Sequence, residues 1–142
     1  MERKVQLVLL ENASIPLYAT EGSAGIDLAA CTNEILLPGQ IKAISTGLMM
    51  SLPKGTEGQI RSRSGLSLKG IIVLNAPGTI DYDFRNEIKV VLMNVGEHNF
   101  EIQKGMRIAQ MVVAEYQRVS FEIVEHLQGT KRGLGGFGST GV

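Results

Sequence analysis

NEIKVVLMNV, residues 86–95, and MRIAQMVVA, residues 106–114, decide how this chain folds. Both are apolar runs of strand length, rich in Val, Ile and Met, and helical caps are absent from both. Outward from them, turn chemistry recurs at Gly96-Glu97, Lys104-Gly105, Pro77-Gly78, Pro53-Lys54-Gly55 and Pro38-Gly39. Short apolar segments broken at that spacing predict an all-β domain. The architecture to expect is a jelly-roll-like β-sandwich or barrel of many short strands. SGLSLKG, residues 64–70, breaks the pattern: Ser64 can cap a turn or two that Gly70 ends, which predicts one short helix.

At 142 residues the chain fits a single domain with a sizeable core. Residues 1–127 read as that domain and 128–142 as a separate, mobile arm, because half of the stretch RGLGGFGSTG, residues 132–141, is glycine. A plain Gly/Ser spacer would lack its arginine and phenylalanine, so the tail is either a disordered end or a segment with work to do. MERKVQLVLLEN reads as a first strand rather than a leader, since its apolar run is short, is interrupted by Gln6 and meets Glu11 and Asn12.

Lys plus Arg and Asp plus Glu number 14 each, so no global positive field draws the protein to nucleic acid or to a membrane. Any anionic ligand has to be met locally. Cys31 is the only cysteine; with His98 and His126 the only histidines, disulfides and Cys/His zinc sites are not expected, and Cys31 reads as packing. The expected setting is soluble, reducing and cytoplasmic.

Five polar or glycine-marked islands interrupt the β pattern: AGIDLAA (24–30), RSRSGLS (61–67), NAPGTIDYDFRNE (75–87), GMRIAQ (105–110) and the terminal arm. Asp27 lies in an apolar strand, where a carboxylate must be hydrogen-bonded, paired or close to a cation. It reads equally as a structural acid or a metal-associated one. Arg61 and Arg63 share one side of an extended strand, and Ser64-Gly65 opens a helix beside them, which describes an anion site or simply solvated arginines. Asp81 and Asp83, extended, project to one side of a hairpin tip flanked by Tyr82 and Phe84. Gln110 is an uncharged polar group in a buried-looking strand and needs a partner.

In this order, over essentially the whole chain, the five islands resemble the five motifs of the trimeric dUTPase family (deoxyuridine 5'-triphosphate nucleotidohydrolases). The resemblance implies a homotrimer of jelly-roll subunits with shared active sites, hydrolysing dUTP to dUMP and pyrophosphate. It also implies an arm that closes over a neighbour's nucleotide. Position by position, Asp81 resembles the catalytic aspartate that orients the attacking water. Arg63, Ser64 and Gly65 resemble the motif that grips the phosphates. Asn75, Thr79, Ile80 and Lys89 match the β-hairpin that reads uracil and deoxyribose, with the ring of Phe84 against the sugar. Gln110 matches the residue directed at the α-phosphate and its water. Arg132, Phe137, Gly138, Ser139 and Thr140 match the arm's phosphate and base contacts. Asp27 resembles an acid that reaches Mg2+ through water only, the ion being held mainly by the triphosphate.

Two departures stand out: the family usually carries tyrosine at position 84 and glycine at 86, where this chain has Phe84 and Asn86. Asparagine is the commonest substitute for glycine at positive φ, so the turn is expected to survive. SLKGII is also one residue shorter than the common family version before its glycine. Competing expectations are a bifunctional dCTP deaminase/dUTPase and a non-catalytic deoxynucleotide-binding module. The RSG segment and the complete glycine arm speak against the deaminase, and pyrophosphate release separates an enzyme from a module.

Overall fold

Residues 3–142 are described by a computed structural model, and Met1 and Glu2 of the opening segment lie outside the described residues. The chain runs β1 (Gln6–Leu9), β2 (Leu17–Tyr18), β3 (Ile26–Ala29), β4 (Glu34–Leu36), β5 (Ile41–Ser51), β6 (Thr56–Arg61), α1 (Ser64–Ser67), β7 (Ile71–Val73), β8 (Gly78–Ile80), β9 (Ile88–Asn94), β10 (Phe100–Ile102) and β11 (Arg107–Glu115). The period-two pattern explains the strands. In β9 the side chains of Ile88, Val90, Leu92 and Asn94 are buried while Lys89 is exposed, and in β6 Thr56, Gly58 and Ile60 point inward.

These inward faces make the fold: a four-stranded sheet β1-β5-β9-β7 lies over a five-stranded sheet β2-β3-β11-β6-β8, with a β10-β4 ribbon alongside. All pairings are antiparallel, as a jelly-roll-like sandwich requires. Leu28, Leu36, Ile44, Leu48, Ile88 and Val90 are completely buried between the layers. Burying such a side chain is worth about 1.5–3 kcal/mol. The ion pair Arg3–Glu115 is more than half exposed on both sides and adds little beside that. Cys31 packs into the same interior, where burial, aided by the charge of Glu87, raises its thiol above the ordinary value of 9.0.

Two bulges shape the region that matters. In β5 the register shifts between Ser45 and Leu48, with Gly47 at φ 70°. Thr46 is fully buried there; its hydroxyl donates to Ile88 O and accepts from the Leu48 amide at 3.2 Å. In β11 the register against β3 shifts between Arg107 and Ala109. The extra residue cancels one step of alternation, so Arg107 and Gln110, three apart in sequence, face the same side.

Four expectations need correction. The carboxylates Asp81 and Asp83 do not sit at a hairpin tip: β8 pairs with β6 and β9 with β5 and β7, so the loop crosses from one sheet to the other. Nor is that loop extended, because the Phe84 amide donates to Asp81 O at 3.1 Å and closes a turn. Asn86 is not at positive φ; its Oδ1 accepts the Glu87 amide at 2.7 Å, a local bond that glycine could not make. The helix is also shorter than 64–70, and Arg63 rather than Ser64 is its N-cap, with no side-chain capping bond. Gly70, at φ 81°, ends the following turn by lying directly on Gly96.

Candidate active site

Asp27 on β3 faces Gln110 on β11 directly, and Gln110 faces Arg61 on β6, so three polar residues cross the outward side of the five-stranded sheet in one row. The β11 bulge adds Arg107 to that side. Asp27 keeps 16% of its side chain exposed and satisfies both carboxylate oxygens: Arg107 Nη1 donates to Oδ2 at 3.1 Å, and Arg63 Nε stands 3.3 Å from Oδ1. Arg63 is fixed further by donating from Nη1 to Arg107 O at 3.1 Å. One carboxylate therefore presents two guanidinium groups, leaving a net positive charge where the strand ends.

Arg61 and Arg63 do not act as one pair, contrary to their spacing. Strand β6 ends at Arg61, whose Nη2 donates back to Gln59 Oε1 at 2.7 Å, whereas Arg63 lies past the end and turns toward Asp27. Gln110 finds the partner it needs: its Nε2 donates to Ser62 O at 3.0 Å. The Ser62 hydroxyl accepts the Val73 amide at 2.8 Å, so Ser62 links the end of β6 to β7 in the other sheet. Ser64 and Gly65 follow on the exposed side, and the space where a Gly65 Cβ would project is open.

A second feature lies at the end of the sandwich. Strands β7 and β8 are consecutive, yet each is the edge of a different sheet and neither pairs with the other. They part around the connection that carries Asn75 and Pro77. A side chain at Gly78 would lie 3.3 Å from Ile60 Cβ and 3.4 Å from the Asn75 amide nitrogen, so glycine lets the start of β8 pack closely on β6 and on Asn75. Thr79 is exposed and Ile80 half-buried on β8, with Asp81 directly after. Arg85 braces the loop by donating from Nη1 to Tyr82 O at 2.7 Å and to Phe84 O at 3.1 Å, leaving the Phe84 ring 37% exposed. Lys89 is exposed on β9, in the opposite sheet.

The arm is not brought to either feature within one chain. The last strand ends at Glu115, and the Tyr116 amide donates to Gly55 O at 3.2 Å. Beyond it, hydrogen bonds run within the segment, such as Arg132 Nε to Gly135 O at 3.1 Å. Phe137 has φ 49° and a fully exposed ring. Sequence reasoning misses Arg107 and Ser62. Arg107 stands within GMRIAQ, but without the bulge its parity with Gln110 is wrong.

A family description, dUTPase, matches residues 11–141. The chain belongs to the dUTPase family. A deoxyuridine 5'-triphosphate nucleotidohydrolase of Rickettsia felis is 53% identical over 144 residues, covering 98% of this chain and 97% of its own. One from Orientia tsutsugamushi is 50% identical over 141 residues, covering 96% and 95%. Among solved structures, the Staphylococcus bacteriophage 80alpha dUTPase with dUpNHpp superimposes with a TM-score of 0.93 at 26% identity, covering 99% of this chain and all of that one. A mutant dUTPase from phage phi11 of S. aureus, described with a structural Mg(II) ion, shares the fold at a TM-score of 0.82 and 22% identity, covering 87% and 98%. Asp27, Arg63, Arg107, Gln110 and the connection between β7 and β8 all lie within the stretch that matches the dUTPase family.

Proposed function

We propose a residue-by-residue course for the reaction of this chain, a dUTP diphosphatase of nucleotide metabolism that hydrolyses dUTP to dUMP and pyrophosphate. The observation that carries it is the pairing of Asp27 with Arg63 and Arg107 beside Gln110, a preassembled positive site at the end of β6. Hydrolysis between the α- and β-phosphates asks the protein for position and charge more than for covalent work. The oxygen of water bonds to the α-phosphorus, the bond to the bridging oxygen breaks, and pyrophosphate leaves with the electron pair. Asp81 takes the water's proton and orients it. Arg63, Ser64 and the Gly65 amide hold the phosphate chain, with room above Gly65 for its approach. The second N–H of Gln110 Nε2, beyond the one bound by Ser62 O, points to the α-phosphate and its water.

Uracil lies against the connection between β7 and β8, where the main chain of Asn75 to Ile80 reads its acceptor O4 and donor N3–H. Cytosine reverses both groups and leaves buried partners unpaired. Thr79, Ile80 and Lys89 flank base and sugar, and the Phe84 ring excludes a 2'-hydroxyl.

Among the described residues no group of three or more His, Cys, Asp or Glu is placed to cage a metal. The two arginine contacts leave lone-pair positions on Asp27, which suits contact with an ion through water. Mg2+ bound by the triphosphate would neutralise charge on the phosphates, and Asp27 is the residue that would meet its water shell.

The assembly is a homotrimer. Val119, Phe121 and Ile123 alternate with strand period and are between 72% and 100% exposed, an apolar row that one chain leaves uncovered. A neighbouring subunit covers this row, and the arm, residues 128–142, continues from it over that neighbour's site. There Arg132, Ser139 and Thr140 meet phosphate, Phe137 stacks on uracil, and Gly138, at φ 94°, permits close approach. The test is pyrophosphate release from dUTP, dCTP, dTTP and UTP with Mg2+, with ammonia followed from dCTP. Turnover is expected for dUTP alone; release of ammonia, or comparable turnover of dCTP, would contradict base reading by residues 75–80.

A further inference from the structure

Gly25 is a glycine with no backbone reason to be one. It is not among the residues at positive φ, so its conformation suits any L-residue. A Cβ at position 25, however, would lie 2.2 Å from Gln110 Oε1, 3.1 Å from its Cδ and 3.2 Å from its Cβ. The three nearest atoms thus all belong to one side chain. We propose that Gly25 is a positioning residue for the reaction, its missing side chain forming the recess that holds the Gln110 carboxamide in its working orientation.

The orientation follows from donor and acceptor roles. The Ser62 carbonyl can only accept, so the end of the amide that meets it at 3.0 Å is Nε2, and Oε1 turns back over Gly25. A free glutamine samples several staggered wells and a broad terminal torsion. The recess and the Ser62 bond select one arrangement and leave a single N–H of Nε2 to donate outward. Gly25 immediately precedes β3 and lies two residues before Asp27, so the recess and the acid that anchors Arg63 and Arg107 share one short stretch of chain. The inference rests on the reading of Gln110 as the residue facing the α-phosphate.

The experiment is a cycle of Gly25→Ala, Gln110→Ala and the double variant, measured as kcat and KM for dUTP with Mg2+ together with the thermal midpoint. The displaced atom is the far end of a flexible side chain, so Gly25→Ala should shift the midpoint by no more than about 4 °C. Its kcat should nevertheless fall about 10- to 100-fold, as expected when a catalytic group is misplaced by an ångström, with KM little changed. The double variant should be no slower than the slower single one, because both changes remove the same oriented amide. Gln110→Glu, which keeps the length but cannot donate to Ser62 O, should lose rate to a similar extent. Wild-type kcat in Gly25→Ala, with Gln110→Ala impaired, would overturn the recess and leave the role of Gln110 standing; so would losses that multiply in the double variant. Wild-type kcat in Gln110→Ala would overturn the reading of Gln110, and the recess with it. If Gly25→Ala does not fold, refolding of the double variant supports the steric conflict, and failure of both overturns it.

Discussion

Arg63 Nε stands 3.3 Å from Oδ1 of Asp27, an ion pair in which the acid is the better buried partner. The same acid receives Arg107 at 3.1 Å, so it aims two cations rather than standing alone as a ligand. Asp27→Asn should therefore leave the fold intact but let both guanidinium groups wander, lowering kcat about 10- to 100-fold. Removing its negative charge should at the same time leave affinity for a non-hydrolysable dUTP analogue no weaker when Mg2+ is absent. Calorimetric titration and steady-state kinetics separate the two effects; unchanged kcat would show that the arginines need no anchor.

Asp81 directly follows β8 and is exposed, with the turn to Phe84 holding its carbonyl. As general base it should be worth about 10²–10⁴ in rate. Asp81→Asn is expected to lose that much kcat and keep analogue binding within a few-fold. Lost binding with unchanged chemistry would make it a sugar-positioning residue.

Arg85 braces the loop that carries Phe84, bonding the carbonyls of Tyr82 and Phe84 on either side of Asp83. Phe84→Ala should admit UTP, raising its kcat/KM relative to dUTP by about 10-fold or more, as the loss of a steric contact in a specificity pocket does. Phe84→Tyr should change little. An alanine variant that still refuses UTP would place ribose exclusion elsewhere on β8.

The apolar runs 86–95 and 106–114 become β9 and β11 because period and composition agree there, and Asp27, Arg63 and Gln110 come together because a buried acid and amide demand partners. What is not legible depends on tertiary register. The one-residue bulge in β11 that turns Arg107 toward Gln110 carries no glycine or proline to announce it. The hairpin expected around Asp81 fails because adjacent strands in a sandwich can belong to different sheets, a choice made by their partners. Asn86 reads as a left-handed residue because a local side-chain bond and a positive φ favour the same amino acid.

Gly70, after α1, carries a backbone constraint that can be tested as well. Gly70 sits at φ 81°, its carbonyl accepts the Val95 amide at 2.8 Å, and a Cβ there would come within 2.7 Å of Gly96 N. Backbone cannot give way as a side-chain tip can. Gly70→Ala should cost about 3 kcal/mol from the strained φ and the clash together. Chemical denaturation reads this as a lower midpoint, and a loss under about 1 kcal/mol would mean that the loop rearranges freely.

Whether the arm serves a neighbouring subunit can be read in one mixing assay. Chains carrying Asp81→Asn and chains lacking residues 130–142 should each be folded and nearly inactive alone. Co-refolded into mixed trimers confirmed by native mass spectrometry, they should recover a substantial part of wild-type pyrophosphate release, because intact Asp81 and intact arm then meet at sites built from different chains. Mixed trimers that remain as inactive as the parents would contradict the shared site and return the arm to its own subunit.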